Sequence, residues 1–400
     1  MKKIFYIAVL LAIVACEDKY ENKHKYSHPY YLTKDYPILL DASEILLGIQ
    51  VKPPVNPNEA FKIVSNDKYF FVGEKMDGIH VYEKIDEFHV NPLCFIECKY
   101  MKAFDVEDDI LYCNDFIDLL VIDVENPLQA KIKHREKGYF NNYLNNNLNL
   151  SIYSSSDTNI YYEIEYKRIV LEGIETDTNP PPDFSEYDKL YSNIIVKEIL
   201  DTLQMLGKPY VGIVNIKGKI HTFGYNSLVT CSYANDFLET EPVFNYVWDN
   251  SMPPCDLRYK DNLIYIFGKD GFRTSLSLQY QNWMSHIPLD AVTISNYLSI
   301  ALSKEFIACF YAYMTITTPS LGATSLININ DTILALGEQL TLYRFVVGQF
   351  IESSHFELVK EYSDISGLCM IRNEDVLIVA NKQGLSFYDI SDLENIKIMP

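Results

Sequence analysis

The strongest constraint on this chain is a unit that recurs along it: two short apolar runs separated by a turn. The pairs are Tyr69–Val72 with Ile79–Tyr82, Ile110–Cys113 with Leu119–Val124, and Lys219–Phe223 with Leu228–Cys231. They continue as Leu263–Phe267 with Thr274–Leu278, Tyr297–Leu302 with Phe306–Tyr313, Thr332–Leu336 with Leu340–Phe345, and Val376–Ala380 with Leu385–Ile390. Apolar runs of this length bounded by turn residues are buried strands, and Asp77-Gly78 between two of them is a hairpin signal. The residues just before the second run are Gly78, Asp118, Ser227, Gly271, Glu305, Gln339 and Gly384; they recur every 34 to 45 residues, except for one long gap after Asp118. That approaches the roughly 40–50 residue period of four-stranded propeller blades. Each such unit needs a neighbour on both faces, and a closed ring leaves no long free edge. The expected fold class is all-β: a β-propeller of seven blades of about four strands, with six or eight as neighbouring counts. Strands within Tyr31–Val51 are expected to complete the last blade. A β-sandwich or two stacked β domains is the competing architecture, and the sevenfold pairing weighs against it.

Composition agrees. Tyr (31) and Phe (21) favour pleated, half-buried surfaces. Gly is scarce at 16, so Asn and Asp must make many of the turns. The long gap, 137–209, reads as an insertion. It holds an Asn-rich stretch, a candidate strand at Ile160–Leu171, a triple-proline loop and a helical stripe within Phe184–Leu206. Ser185 and Gly207 suit its two caps.

The N-terminus reads as an export signal: Lys2 and Lys3, then an apolar run Ile4–Val14 too short to span a bilayer. Its end, Ile13-Val14-Ala15-Cys16, resembles the bacterial lipobox. That resemblance implies cleavage before Cys16 and a lipid on its thiol, which would anchor the chain to a membrane without spanning it. Glu17 and Asp18 resemble the signal that sends some Gram-negative lipoproteins to the cell surface. The domains expected are a signal peptide at 1–16, a flexible tether at 17–30 and the propeller at 31–400. The location expected is the outer membrane, facing the periplasm or exposed at the surface.

Leu119-Leu-Val-Ile-Asp-Val-Glu-Asn-Pro looks like the LVIVD repeat, and Leu385-Ser-Phe-Tyr-Asp-Ile-Ser-Asp-Leu matches its spacing. Gly78-Ile-His-Val-Tyr-Glu-Lys is a blurred copy. The chain thus resembles the LVIVD-repeat β-propeller lipoproteins of Gram-negative bacteria, a family that implies a secreted or surface propeller. The motif's role here is structural: the aliphatic run is a blade strand, and the Asp and Asn-Pro shape the turn that follows.

A formal charge of −20 opposes nucleic-acid binding and docking on anionic lipid through protein charge. No nucleophile elbow, zinc-binding His pair, phosphate loop or dinucleotide fingerprint is present in the sequence. We therefore expect no catalytic residues, no metal and no cofactor. Asp105, Glu107, Asp108 and Asp109 form an acidic stretch without the ligand spacing of a calcium loop, and it reads as a solvated turn. The cysteines read as small buried residues, with Cys98 and Cys113 the pair that could bridge across a hairpin. The candidate contact residues are aromatic: Tyr139, Tyr143, Tyr161, Trp248 and Trp283. The function expected is a lipid-anchored, non-catalytic binding or scaffold module for a protein or glycan. The alternatives are a polysaccharide hydrolase or lyase with its site at the channel mouth, and an envelope-assembly factor.

Overall fold

The computed structural model describes residues 30–39, 162–173 and, with short breaks, 48–141 and 211–400. The chain divides into two compact units. In the smaller unit, residues 1–40 and 162–208, β1 (Tyr30–Leu39) pairs antiparallel with β11 (Tyr162–Gly173). The export signal, Cys16, the tether and the helical stretch 184–206 lie outside the described residues.

The larger unit is all-β, with only two single-turn 3-10 helices among its described residues. Its first sheet contains β2 (Gln50–Lys52), β3 (Ala60–Ser65), β4 (Tyr69–Glu74), β5 (Gly78–Lys84) and β6 (Val90–Glu97) in the order β2-β6-β5-β4-β3. The second holds β7 (Phe104–Glu107), β8 (Ile110–Asp115), β9 (Asp118–Asp123) and β10 (Lys131–Glu136). The third holds β12 (Ile213–Ile216), β13 (Lys219–Phe223), β14 (Ser227–Ala234) and β15 (Phe237–Asn245). The fourth is β16 (Pro254–Lys260), β17 (Leu263–Gly268), β18 (Gly271–Thr274) and β19 (Gln281–Asn282). The fifth is β20 (Asp290–Ser295), β21 (Leu298–Leu302), β22 (Phe306–Tyr311) and β23 (Met314–Pro319). The sixth runs β24 (Ser325–Ile329), β25 (Thr332–Leu336), β26 (Leu340–Val346) and β27 (His355–Tyr362). The last runs β28 (Cys369–Asn373), β29 (Val376–Asn381), β30 (Gly384–Asp389) and β31 (Lys397–Ile398). Apart from β2, which joins the first sheet beside β6, all are antiparallel meanders of sequential strands, a propeller-like arrangement.

Six of the seven apolar pairs read from the sequence are the middle pair of one sheet; in the fourth, Leu263–Phe267 is β17, β18 ends at Thr274, and 275–278 lie outside the described residues. The middle strands are covered on both faces, so they read as continuous apolar runs; β8, β9, β25 and β29 are buried almost throughout. The fourth strands lie outermost, and β10 and β27 are largely exposed. Their sequences carry no comparable signal.

The sheets pack face to face through clusters that each join two consecutive sheets. Phe71, Ile79 and Ile96 meet Phe104, Leu111 and Ile122 between the first and second. Tyr112 and Val121 meet Ile220 and Cys231, and Phe223 and Leu228 meet Leu257 and Ile266. Tyr265 and Phe267 meet Ala291 and Ala308, and Ile300 meets Leu326 and Ile333. Leu334 and Leu342 meet Leu377 and Val379. A last cluster packs Ile378, Ala380 and Phe387 of the final sheet on Phe70, Val72 and Tyr82 of the first. Gly73 shows how tight these faces are: a Cβ on it would run into the Phe104 ring, which is fully buried. Gly73→Ala is expected to lower stability by roughly 1–3 kcal/mol through overpacking, read from the midpoint of urea unfolding.

The repeat motif builds the turn expected of it. Val124 N–H donates to Asp109 O and Ile390 N–H to Asp375 O, the same bond in two sheets. Asp123 and Asp389 each accept from the backbone N–H two residues on. Asn126, Asp392 and Asp86 do so one step later, at the connection between the third and fourth strands. These are Asx turns, and they occupy the motif's carboxylates in backbone bonding.

One expectation fails. The N-terminal strands do not complete the last sheet, which has its own outer strand β31. β1 belongs to the smaller unit, and β2 adds to the outer edge of the first sheet by pairing with β6.

Candidate functional site

The first strands of the sheets face one another around a cavity of about 260 Å³. Its walls come from β3, β7, β12, β16, β24 and β28, so six sheets contribute. The strands are mostly apolar, as burial requires, but five of the six carry polar or charged residues in the wall: Lys62, Asp105, Asn215, Asp256, Arg258, Lys260, Ser325.

The charges form two groups. Lys62 Nζ donates to Asp105 Oδ2 at 2.6 Å, to Phe104 O at 2.7 Å and to Ile213 O at 3.2 Å. One ammonium from the first sheet thereby bridges the second and third, and all three of its protons are engaged. Asn215 adds a bond from the third sheet back to Val106 O at 2.6 Å. Opposite, Lys260 Nζ reaches both oxygens of Asp290 at 2.6 and 2.5 Å and Leu326 O at 3.0 Å. Arg258 lies between Asp256, at 3.1 Å, and Asp290, at 3.0 Å. Asp290 also accepts from the Leu326 N–H at 2.7 Å. This second group spans the fourth, fifth and sixth sheets. Burial alone would raise the Asp290 carboxyl, but Lys260 and Arg258 outweigh it and hold it below the usual carboxylate range.

Asp105, Asp256 and Asp290 share a local device. One oxygen of each accepts from the N–H of the next residue, Val106, Leu257 and Ala291, at 2.8 Å in all three. The remaining oxygens meet cations. The cavity carboxylates are thus committed to backbone and cation partners, and the network ties neighbouring sheets together at their inner strands. Burial pushes the Cys369 thiol in the same wall up to about 12.

A second cleft, about 410 Å³, lies between the sixth and seventh sheets. It is formed by the connections β23–β24, β25–β26, β27–β28 and β29–β30, which supply Thr324, Glu338, Ser366, Lys382 and Gln383 around Gly322, Gly337 and Gly367.

Of the residues singled out from the sequence, Tyr139 is described, and it faces inward. Its hydroxyl lies 2.6 Å from Thr222 Oγ1 and 3.0 Å from Cys231 Sγ, and its ring packs edge-on against the buried Phe140. It anchors the segment after β10 to the third sheet. Tyr143, Tyr161, Trp248 and Trp283 lie outside the described residues. The acidic stretch is dispersed. Asp105 points into the cavity instead of a solvated turn, Asp109 pairs with Lys68 at 3.5 Å, and Glu107 takes the Tyr112 hydroxyl at 3.4 Å. Among the described residues no three His, Cys, Asp or Glu side chains converge as metal ligands. The six described cysteines are free and buried.

Sequence reading missed Lys62, Asp256, Arg258, Lys260 and Asp290. Their signal was a charge inside an otherwise apolar run, as in Ala60-Phe-Lys-Ile-Val and Leu289-Asp-Ala-Val. Those runs are the first strands of sheets, and the strands that follow them carry the more continuous apolar runs.

No family model matches the chain, and no curated protein matches it. Solved structures do. An extracellular domain of the B. thetaiotaomicron protein BT4673 is similar over 85% of this chain, with 10% identity and a TM-score of 0.39; this chain spans 39% of that one. A chain of the Mitotic Checkpoint Complex is similar over 86% of this chain and 91% of its own, at 10% identity and a TM-score of 0.45. The WD40 β-propeller domain of Doa1 is similar over 85% of this chain and 96% of its own, at 8% identity and a TM-score of 0.40.

Proposed function

We propose that the larger unit is a seven-bladed β-propeller that serves as a non-catalytic binding or scaffold module, held at the outer membrane by a lipid on Cys16. The blade count is supported by seven sheets among the described residues of the larger unit and by the core cluster that packs the last sheet on the first. The observation that carries the functional reading is the pairing of the cavity charges. Hydrolase or lyase chemistry run by the cavity carboxylates needs one of them within reach of a substrate proton. Asp105, Asp256 and Asp290 instead each hold a cation and a backbone N–H. The cleft between the sixth and seventh sheets offers hydrogen-bonding side chains and bare glycine backbone to a protein or glycan ligand. The lipid anchor and the relation to LVIVD-repeat lipoproteins are supported by Ile13–Cys16 and Leu119–Pro127.

Crosslinking in intact cells followed by purification of the full chain tests the reading. One dominant protein or glycan partner is expected, reduced at least tenfold by Lys382→Glu at unchanged fold. Cys16→Ala is expected to move the protein from the membrane to the soluble fraction; a variant that stays on the membrane sinks the anchor. Release of new reducing ends or unsaturated sugars from a polysaccharide by the purified protein would replace the binding reading with the hydrolase or lyase alternative.

A further inference from the structure

We infer that Cys98 and Cys113 are a disulfide-forming pair that staples the first sheet to the second when the chain folds under oxidising conditions. The two thiols do not face each other across a hairpin. Cys98 follows β6, in the link that leaves the first sheet, and Cys113 sits in β8, inside the second. Both side chains are fully buried. Both belong to one core cluster, and Cys98 Sγ lies 3.7 Å from the backbone O of Asn114, the residue after Cys113. Other described cysteines have different neighbours: Cys94 meets Pro127 O at 3.6 Å, and Cys231 meets Thr222 and Tyr139.

The backbone around the pair is fixed. Asn114, fully buried beside Cys113, accepts from the N–H groups of Lys102 and Ala103 at 2.7 and 2.8 Å. Its amide donates to Tyr100 O at 3.1 Å. Met101 N–H donates to Cys98 O at 3.1 Å. One asparagine therefore clamps the link that carries Cys98 to the strand that carries Cys113. A bridge requires two cysteines whose backbones are held close together, and this clamp holds the Cys98 link against the Cys113 strand.

The bond would form by thiol–disulfide exchange. A low-molecular-weight disulfide, or an oxidoreductase disulfide in the envelope, takes two electrons and becomes two thiols. Cys98 and Cys113 lose two protons and join their sulfurs. The attacking species is a thiolate. In the folded protein the hydrogen-bonded Cys113 thiol and burial push the Cys98 thiol well above its ordinary range, so thiolate is scarce. The bridge must close during folding, before the first two sheets seal. Once formed it is shielded from reductants by the same core.

The test uses the purified, fully reduced chain, so its outcome is independent of export and lipidation. The chain is refolded in a glutathione redox buffer, and its disulfides are mapped by mass spectrometry of non-reduced peptides. One dominant bridge, Cys98 to Cys113, is expected. The same oxidant given to native, reduced protein should form it at least tenfold more slowly, and urea below the unfolding midpoint should restore the rate. The oxidised form is expected to melt about 5 °C or more above the reduced form, since the bridge closes a loop of roughly 15 residues. Cys98→Ala should lose both the bridged peptide and this difference. Free, alkylatable Cys98 and Cys113 after refolding, or bridges to other cysteines, would overturn the inference. Native protein oxidised in urea supplies the same readout where refolding yields are low.

Discussion

Asp290→Asn is expected to cost about 3–5 kcal/mol, read from equilibrium unfolding in urea, because it removes a buried charge from between two largely buried cations. Asp290 is fully buried and accepts from Lys260, Arg258, Leu326 N–H and its own Ala291 N–H. Asparagine keeps the shape but not the countercharge, and its amide turns two hydrogens toward groups that also donate. The loss should be cooperative across the larger unit, because this one carboxylate connects the fourth, fifth and sixth sheets. Its pH dependence has a definite sign. The folded value lies below the unfolded 3.8, so the stabilisation is complete above about pH 4 and is lost as the pH falls through the folded value. An Asp290→Asn protein as stable as the parent at pH 7 would show that the cavity network is incidental.

Asp115→Asn should do the reverse and stabilise the protein at pH 7 by roughly 2–3 kcal/mol, from a shift of about two units at 1.36 kcal/mol each. Arg135 holds two buried carboxylates, Asp115 at 2.6 Å and Asp118 at 2.8 Å. Burial raises the Asp115 carboxyl to about 6, against the pull of Arg135. Between about pH 4 and 6 the folded chain therefore keeps a proton that the unfolded chain releases, and stability falls as the pH rises through that window. Asparagine at 115 leaves Asp118 on Arg135 and removes the charge that burial disfavours. The variant and the parent should unfold alike at pH 4 and diverge towards pH 7. A variant less stable than the parent at pH 7 would show that Arg135 needs both charges.

How much of this was legible follows from where burial is two-sided. The middle strands of each sheet, such as Ile110–Asp115 with Asp118–Asp123, are sealed between neighbouring sheets, so their sequences are continuous apolar runs that stand out without any structure. The turn chemistry of Asp123 and Asn126 is local, fixed within a few residues, and was equally readable. The cavity was not. Lys62 bonds residues from two other sheets, its partner Ile213 lying 151 positions away, and no local pattern encodes such a meeting. Nor could the sequence separate an aromatic that faces a ligand from one that plugs a seam. Tyr139 looked available in a polar segment and instead places its hydroxyl on Thr222 and Cys231. The N-terminal strands were misassigned for a related reason: β2 is three residues long, and pairing at an outer edge leaves little apolar trace.

That short strand has a mechanical consequence. β2 pairs with β6 over only Gln50 to Lys52, at the rim of the first sheet. Tension carried along the chain through residues 41–49 reaches this three-residue ladder before it reaches β3 and the inner strands. The rim can therefore peel and re-form under load while the inner strands and their ion pairs remain in register, which uncouples the core of the larger unit from tension on its N-terminal lead.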